Sequence, residues 1–181
     1  MDISNLFVIT GGPGSGKSTL ISALRMSGFA VAEETGRHVI RDEMASGGRA
    51  LPWDDRQLFA ERMLALDIER YEKLSQSSAP VFFDRGIVDV AGYLRLSALP
   101  ISEKVARSIE LYRYNRLAFL APYWPEIYAQ DEERKQSPDE AARTCDAMRA
   151  IYPEYGYELL ELPRTHVRER VRFVLDAIGA V

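Results

Sequence analysis

The chain has 181 residues, 46% of them hydrophobic, and a formal net charge of −4 at pH 7. That length suits one domain over 1–181 with a sizeable core, and the acidic balance excludes a chain-wide attraction for nucleic acid or an anionic membrane surface. The single cysteine, Cys145, excludes an internal disulfide framework and points to a reducing compartment, so a cytoplasmic location is expected.

Taken in chain order, apolar and polar periodicities alternate. A short buried strand is predicted over 5–10, then a helix over 17–26, a second strand over 29–32 and a helix over 36–46 that Gly47 and Gly48 end. A long amphipathic helix is predicted over 54–77, with Asp54 as its cap and Phe59, Met63, Leu66 and Leu74 on one face. A strand over 80–84 ends in a charge, helices follow over 87–96 and 102–115, and 117–121 reads as a fourth strand. Ser137, Pro138 and Glu140 form a helix start, with a cap, a proline at the first position and a glutamate three after the cap. A strand over 157–162 and a helix over 165–178 close the chain. The apolar run at 6–9 has no basic segment before it and is too short for a signal peptide or a membrane span. The alternation predicts an α/β three-layer sandwich with a five-stranded, mostly parallel sheet. Ligands of such sheets gather beyond the carboxyl ends of the strands, so the loops after Thr10, Ala32, Asp84, Ala121 and Leu162 carry the site.

Residues 11–19 read GGPGSGKST and match G-x-x-x-x-G-K-S, the P-loop or Walker A pattern, without a gap. Gly11, Gly12, Gly14 and Gly16, with Pro13 and Ser15 between them, let the backbone curl until successive N–H groups point at an anion. The loop opens a helix, whose N-terminus adds unpaired donors. Lys17 can reach the β- and γ-phosphates, the Ser18 hydroxyl can ligate Mg²⁺, and Thr19 follows the α-phosphate. The alternative, a chance glycine turn with Lys17 on a solvated helix end, is disfavoured by the strand before and the helix after.

A P-loop needs an acidic partner for Mg²⁺. Asp84, at the end of the apolar run Val81-Phe82-Phe83, is the candidate, and Arg85 beside it can reach an anionic group; otherwise Asp84 caps the next helix and pairs with Arg85. Asp89 reads equally as a second site carboxylate or an exposed first-turn acid. Glu33, Glu34 and Arg37 end the second strand. They read either as an acceptor-hydroxyl site, with a carboxylate as base or orienting group, or as a solvated acidic pair with an i,i+3 ion pair. Residues 128–137, YAQDEERKQS, read as a lid within 125–137 that closes over the phosphates and supplies Arg134 or Lys135, with Arg143 further on, or as an ordinary solvated charge run. Tyr123, Trp124 and Tyr128 read as a substrate wall or as packing. The loop Leu162-Pro163-Arg164-Thr165, with Val167, is expected beside the nucleotide base. His38 and His166 have no zinc-ligand spacing. No Asn-Lys-x-Asp base reader and no Asp-x-x-Gly switch is present, and 181 residues leave no room for a second helical domain, so a regulatory GTPase and a motor-type ATPase are disfavoured.

With GGPGSGKST at 11–19, Glu34-Thr35-Gly36-Arg37 after the second strand, FFDRGIVD at 82–89 and the closing stretch from Tyr157, the chain resembles a family of small, kinase-like P-loop NTPases named as an AAA-domain family. It is similar to the nicotinamide riboside kinase domain of bacterial NAD regulators. The resemblance implies a kinase-type sheet in which the Asp84 strand adjoins the P-loop strand. It also implies binding of Mg-ATP, with GTP possible. By position it places Glu34 and Arg37 at an acceptor pocket and gives Asp84 to Mg²⁺ or catalysis. The Asp84-Arg85 pair also looks like the Asp-Arg motif of thymidylate kinases, in which the arginine contacts substrate. The expected activity is an ATP-dependent phosphotransferase acting on a nucleoside-, nucleotide- or riboside-like acceptor. The alternatives are a nucleotide-gated binding protein and a stand-alone NTPase.

Overall fold

The computed structural model describes residues 5–127 and 137–180. In chain order these form β1 (Leu6–Gly11), α1 (Lys17–Met26), β2 (Ala30–Ala32), α2 (Thr35–Ser46), α3 (Arg56–Leu74), β3 (Val81–Asp84), α4 (Ile87–Leu96), α5 (Glu103–Leu111), β4 (Leu117–Ala121), a 3₁₀ turn (Pro125–Ile127), α6 (Pro138–Glu154), β5 (Glu158–Glu161) and α7 (Val167–Ala177). The sheet runs β2-β3-β1-β4-β5 and every pairing in it is parallel. The β3 strand therefore adjoins β1, with Ile9 opposite Asp84.

The central strand is buried along its whole length, which is why it reads as a continuous apolar run rather than an alternation. Its successive side chains serve opposite faces. Leu6 and Val8 pack with α3, α4, α5 and α6 residues such as Leu64, Leu94, Ile109 and Met148. Phe7 and Ile9 pack with Leu20, Leu24 and Val174 of α1 and α7. Each fully buried side chain of this kind stabilises the fold by roughly 1.5–3 kcal/mol relative to exposure. The result is three layers, helix on sheet on helix, as expected.

Local chemistry sets the ends. Gly47 stops α2 in the left-handed region, at φ 72°. The Ser137 hydroxyl accepts from the Glu140 N–H and the Glu140 carboxylate accepts from the Ser137 N–H, a reciprocal cap that starts α6. Several boundaries shift by a few residues from the sequence reading, and two of the shifts have clear local causes. The α3 helix begins after Asp55, not Asp54, because the Asp55 carboxylate accepts from the Leu58 N–H at 3.0 Å. The α5 helix stops at Leu111, short of residue 115. The Asn115 N–H donates to the Leu6 carbonyl at 2.7 Å, so the chain has already turned toward the sheet. Among the described residues no helix is long and apolar enough to cross a membrane.

Candidate active site

The loop between β1 and α1 is shaped by what surrounds it. Gly11 has φ 133°, and a Cβ there would lie 2.2 Å from the Ala121 carbonyl oxygen of β4. A Cβ on Gly12 would lie 2.2 Å from the Ala141 carbonyl oxygen of α6. Both glycines are therefore required by close backbone approach, and Gly11 by its φ as well. Gly16 precedes α1 in the left-handed region, at φ 76°. The Ser15 hydroxyl donates to the Gly12 carbonyl at 2.8 Å and braces the curl. Pro13 is half-buried, while Ser18 and Thr19 are exposed on the first turn of α1.

Lys17 is buried and its Nζ donates to the Gly12 carbonyl at 2.7 Å and the Gly11 carbonyl at 3.2 Å. Burial lowers its pKa to about 8, helped by Arg85 and opposed by Asp84, Glu34 and Asp89. Lys17 thus lies in the field of every charged group that β2, β3 and α4 bring up beside it.

Those groups form one network. Arg85 directly follows β3, with a left-handed φ of 70°. Its Nε donates to Glu34 at 2.9 Å and its Nη1 to Asp89 at 3.1 Å. Glu34, the residue before α2, also takes Arg37 Nε at 3.2 Å. Asp89 is not the exposed first-turn acid that the sequence allows. It is 6% exposed, and besides Arg85 it accepts from the Thr10 hydroxyl at 2.6 Å, the Tyr152 hydroxyl at 2.6 Å and the Gly86 N–H at 3.1 Å. Four donors on one carboxylate fix Arg85 against its unfavourable backbone. Glu33 turns the other way, to an exposed ion pair with Arg25 at 2.8 Å.

Asp84 does not cap α4; Gly86 holds that position. The Asp84 carboxylate is buried at the carboxyl end of β3, and its Oδ1 has no hydrogen-bond partner among the described residues. Burial, and then the nearby Glu34 charge, push its pKa up to about 6 against the pull of Lys17 and Arg85. Glu34 goes the other way. Burial disfavours its charge, but Arg85, Lys17 and Arg37 together overcome that and hold it below the usual carboxylate range. Arg85 is held firmly charged by Glu34, Asp89 and Asp84 in spite of its burial.

The structure thus brings Lys17, Glu34, Arg37, Asp84 and Arg85 to one side of the loop. Arg134 and Lys135, with the lid reading over 128–136, lie outside the described residues. Arg143 is exposed on α6. His38 pairs with Asp42 at 3.1 Å. Sequence reasoning missed Thr10, Tyr152, Asp67 and Arg170. Asp67 is buried on the inward face of α3 beside Ala60, Met63 and Leu64, bonded to the Thr35 side chain, and burial raises its pKa to about 7. Arg170 is buried on α7 one turn before Val174, and its Nη1 donates to the Ser15 carbonyl at 3.1 Å. A charged residue at a core position of an amphipathic helix was the available signal for both.

Comparison with known proteins places this geometry. A family model described as an AAA domain matches residues 6–170. No curated protein sequence matches the chain. Among solved structures, the NadR protein in complex with NR is similar at 18% identity with a TM-score of 0.71, covering 98% of this chain and 50% of that one. Thymidylate kinase from Ehrlichia chaffeensis is similar at 15% identity and TM-score 0.63, covering 96% and 97%. Deoxyadenosine kinase from M. mycoides, with products dCMP and a flexible dCDP bound, is similar at 11% identity and TM-score 0.62, covering 97% and 98%. The fold is that of the P-loop nucleoside and nucleotide kinases.

Proposed function

The chain belongs to the AAA-domain family, and we propose that within it this protein is a nucleotide-dependent phosphotransferase acting on a small hydroxyl-bearing acceptor of nucleoside, nucleotide or riboside type. The observation that carries the reading is the network of Glu34, Arg85 and Asp89 next to the orphaned Asp84 oxygen. Holding a nucleotide requires only the loop. A fixed carboxylate–guanidinium cluster beside the loop lysine is what a second substrate needs.

The loop amides from Gly11 to Thr19 hold the phosphates, and Lys17 exchanges its bonds to the Gly11 and Gly12 carbonyls for phosphate oxygens. Phosphoryl transfer passes through a loose transition state, so positioning and charge neutralisation do most of the work. Glu34 stays ionised near neutral pH, because its arginines hold its pKa down. It accepts and aims the acceptor hydroxyl, while Arg37 and Arg85 fix its two oxygens. The residues also suit Mg²⁺. The buried Asp84 carboxylate oxygen without a donor, and the exposed hydroxyl of Ser18, would be the hard oxygen ligands that hold it. Among the described residues no cluster of three His, Cys, Asp or Glu forms a metal cage. Bound there, Mg²⁺ would supply charge neutralisation for the transferred phosphoryl group.

The test is ³¹P NMR of the protein with Mg-ATP or Mg-GTP and pooled nucleosides, nucleotides and ribosides. A new phosphate ester is expected, and splitting the pool then names the acceptor class. Inorganic phosphate alone would make the protein a stand-alone NTPase. A spectrum unchanged while nucleotide binds would make it a nucleotide-gated binding protein.

A further inference from the structure

The P-loop stands at the middle of the sheet, and its two sides differ. The β3 and β2 side holds Asp84, Arg85 and Glu34. The β4 and β5 side holds Trp124, just after β4, and Arg170 on α7, which follows β5. If transfer takes place toward the Asp84 side, as proposed above, the terminal phosphate points there. The nucleoside half then extends over the β4 and β5 side.

Arg170 is 3% exposed. Its Nη1 donates to the Ser15 carbonyl at 3.1 Å, its guanidinium carbon lies 5.8 Å from the centre of the Trp124 ring, and a Cβ on Gly16 would come within 2.6 Å of Nη1. The guanidinium therefore sits against the P-loop itself. Its Nε and Nη2 are buried and have no partner among the described residues. These two nitrogens form one edge of the guanidinium fork, with parallel donors suited to a pair of acceptors. Burying such an edge unmet is costly, and α7 could fill the position with an apolar residue, as it does at Val174 one turn on. The bond to Ser15 uses only Nη1 and leaves that edge unexplained.

We propose that Arg170 is a nucleotide-reading residue whose Nε/Nη2 edge takes paired hydrogen-bond acceptors of the nucleoside half of a P-loop-bound nucleotide. Two sources offer that chemistry. Guanine presents O6 and N7 side by side, a pair that adenine lacks because its N6 is a donor. Ribose presents its hydroxyl oxygens whatever the base. The phosphates have their own donors in Lys17 and the loop amides. This rests on nucleotide binding by the loop and deepens the reading above.

The test is calorimetric titration of magnesium tripolyphosphate, Mg-ATP and Mg-GTP into the full chain as wild type, Arg170→Met and Arg170→Lys. Arg170→Met is expected to keep tripolyphosphate affinity within about twofold and to lose about tenfold for a nucleoside triphosphate, with Arg170→Lys between. Loss confined to GTP assigns the guanine edge; equal loss for ATP and GTP assigns the ribose. Nucleotide affinities that do not change overturn the proposal. So does an equal loss for tripolyphosphate, which would mean that Arg170 only shapes the loop through Ser15. Arg170→Lys retains a cation and keeps the comparison open if Arg170→Met unfolds, which a thermal melt reports. A wild type that binds none of the three ligands removes P-loop nucleotide binding, and this proposal with it. A wild type that binds nucleotides but makes no phosphate ester removes only the phosphotransferase reading.

Discussion

Lys17 shows how a single residue can be read from its partners. Its ammonium is satisfied by the loop's own carbonyls, and its burial lowers its pKa to about 8. Phosphate oxygens offer the same cation a stronger partner, so on the proposed reading a bound nucleotide would take over these bonds. Lys17→Met is expected to weaken nucleotide binding at least about tenfold and transfer by about a hundredfold or more, since removing one preorganised donor to developing charge commonly costs that much. Titration and phosphate-ester formation check the two effects. Asp67 gives a stability prediction clear of the phosphates. Burial raises its pKa from 3.8 to about 7, partly offset by the Thr35 hydrogen bond. The folded chain therefore holds this proton more tightly than the unfolded one. Stability contributed by the protonated form is full below about pH 4 and is lost as pH rises toward 7. Asp67→Asn should flatten that slope and stabilise the protein at pH 8 by roughly 2–4 kcal/mol, as the shift implies. Urea unfolding at pH 5 and pH 8 measures it, and equal gains at both would show that charge is not the cause.

At the scale of elements, caps and close approaches set the boundaries. Asp55 accepts the Leu58 N–H, while the neighbouring Asp54 side chain is 3.4 Å from exposed Arg49. Asp55→Ala should cost about 1 kcal/mol and lower the melting temperature by about 2–4 °C, whereas Asp54→Ala should stay within about 0.5 kcal/mol. Thermal melts of the two variants decide which aspartate caps α3. Strand β3 and helix α4 build the charged network as a pair. The strand carries Asp84 to its carboxyl end, and the first turn of the helix returns Asp89 to hold Arg85 in its left-handed turn. Neither element would place the guanidinium alone.

At the scale of the whole molecule, the sheet order divides the site. β3 lies on one side of β1 and β4 on the other, so one loop faces a charged network on one flank and Arg170 with Trp124 on the opposite flank. The fold itself leans on two apolar layers, one on each face of the sheet. A chelator such as EDTA is therefore expected to abolish transfer while moving the nucleotide-free melting temperature by less than about 1 °C. A large drop would mean that a cation holds the fold.

The local signals were legible in the chain itself. The glycine spacing of 11–18, the apolar runs of β1 and β3 and the Ser137–Glu140 box depend on neighbours within a few residues, and each produced the element expected of it. The family and the kinase-like sheet followed from them. Packing at long range decided the rest. Whether Asp89 faced solvent or the core depended on Thr10, 79 residues away, and Tyr152, 63 away. The place of Arg170 against Ser15 depended on a contact across 155 residues. Periodicity shows that a charge sits on an apolar face, but it cannot name the partner, because the partner comes from another element brought there by the strand order. Residues 11–19 were enough to specify the loop. Which carboxylates, which arginine and which flank stand around it was settled by packing between elements far apart in the chain.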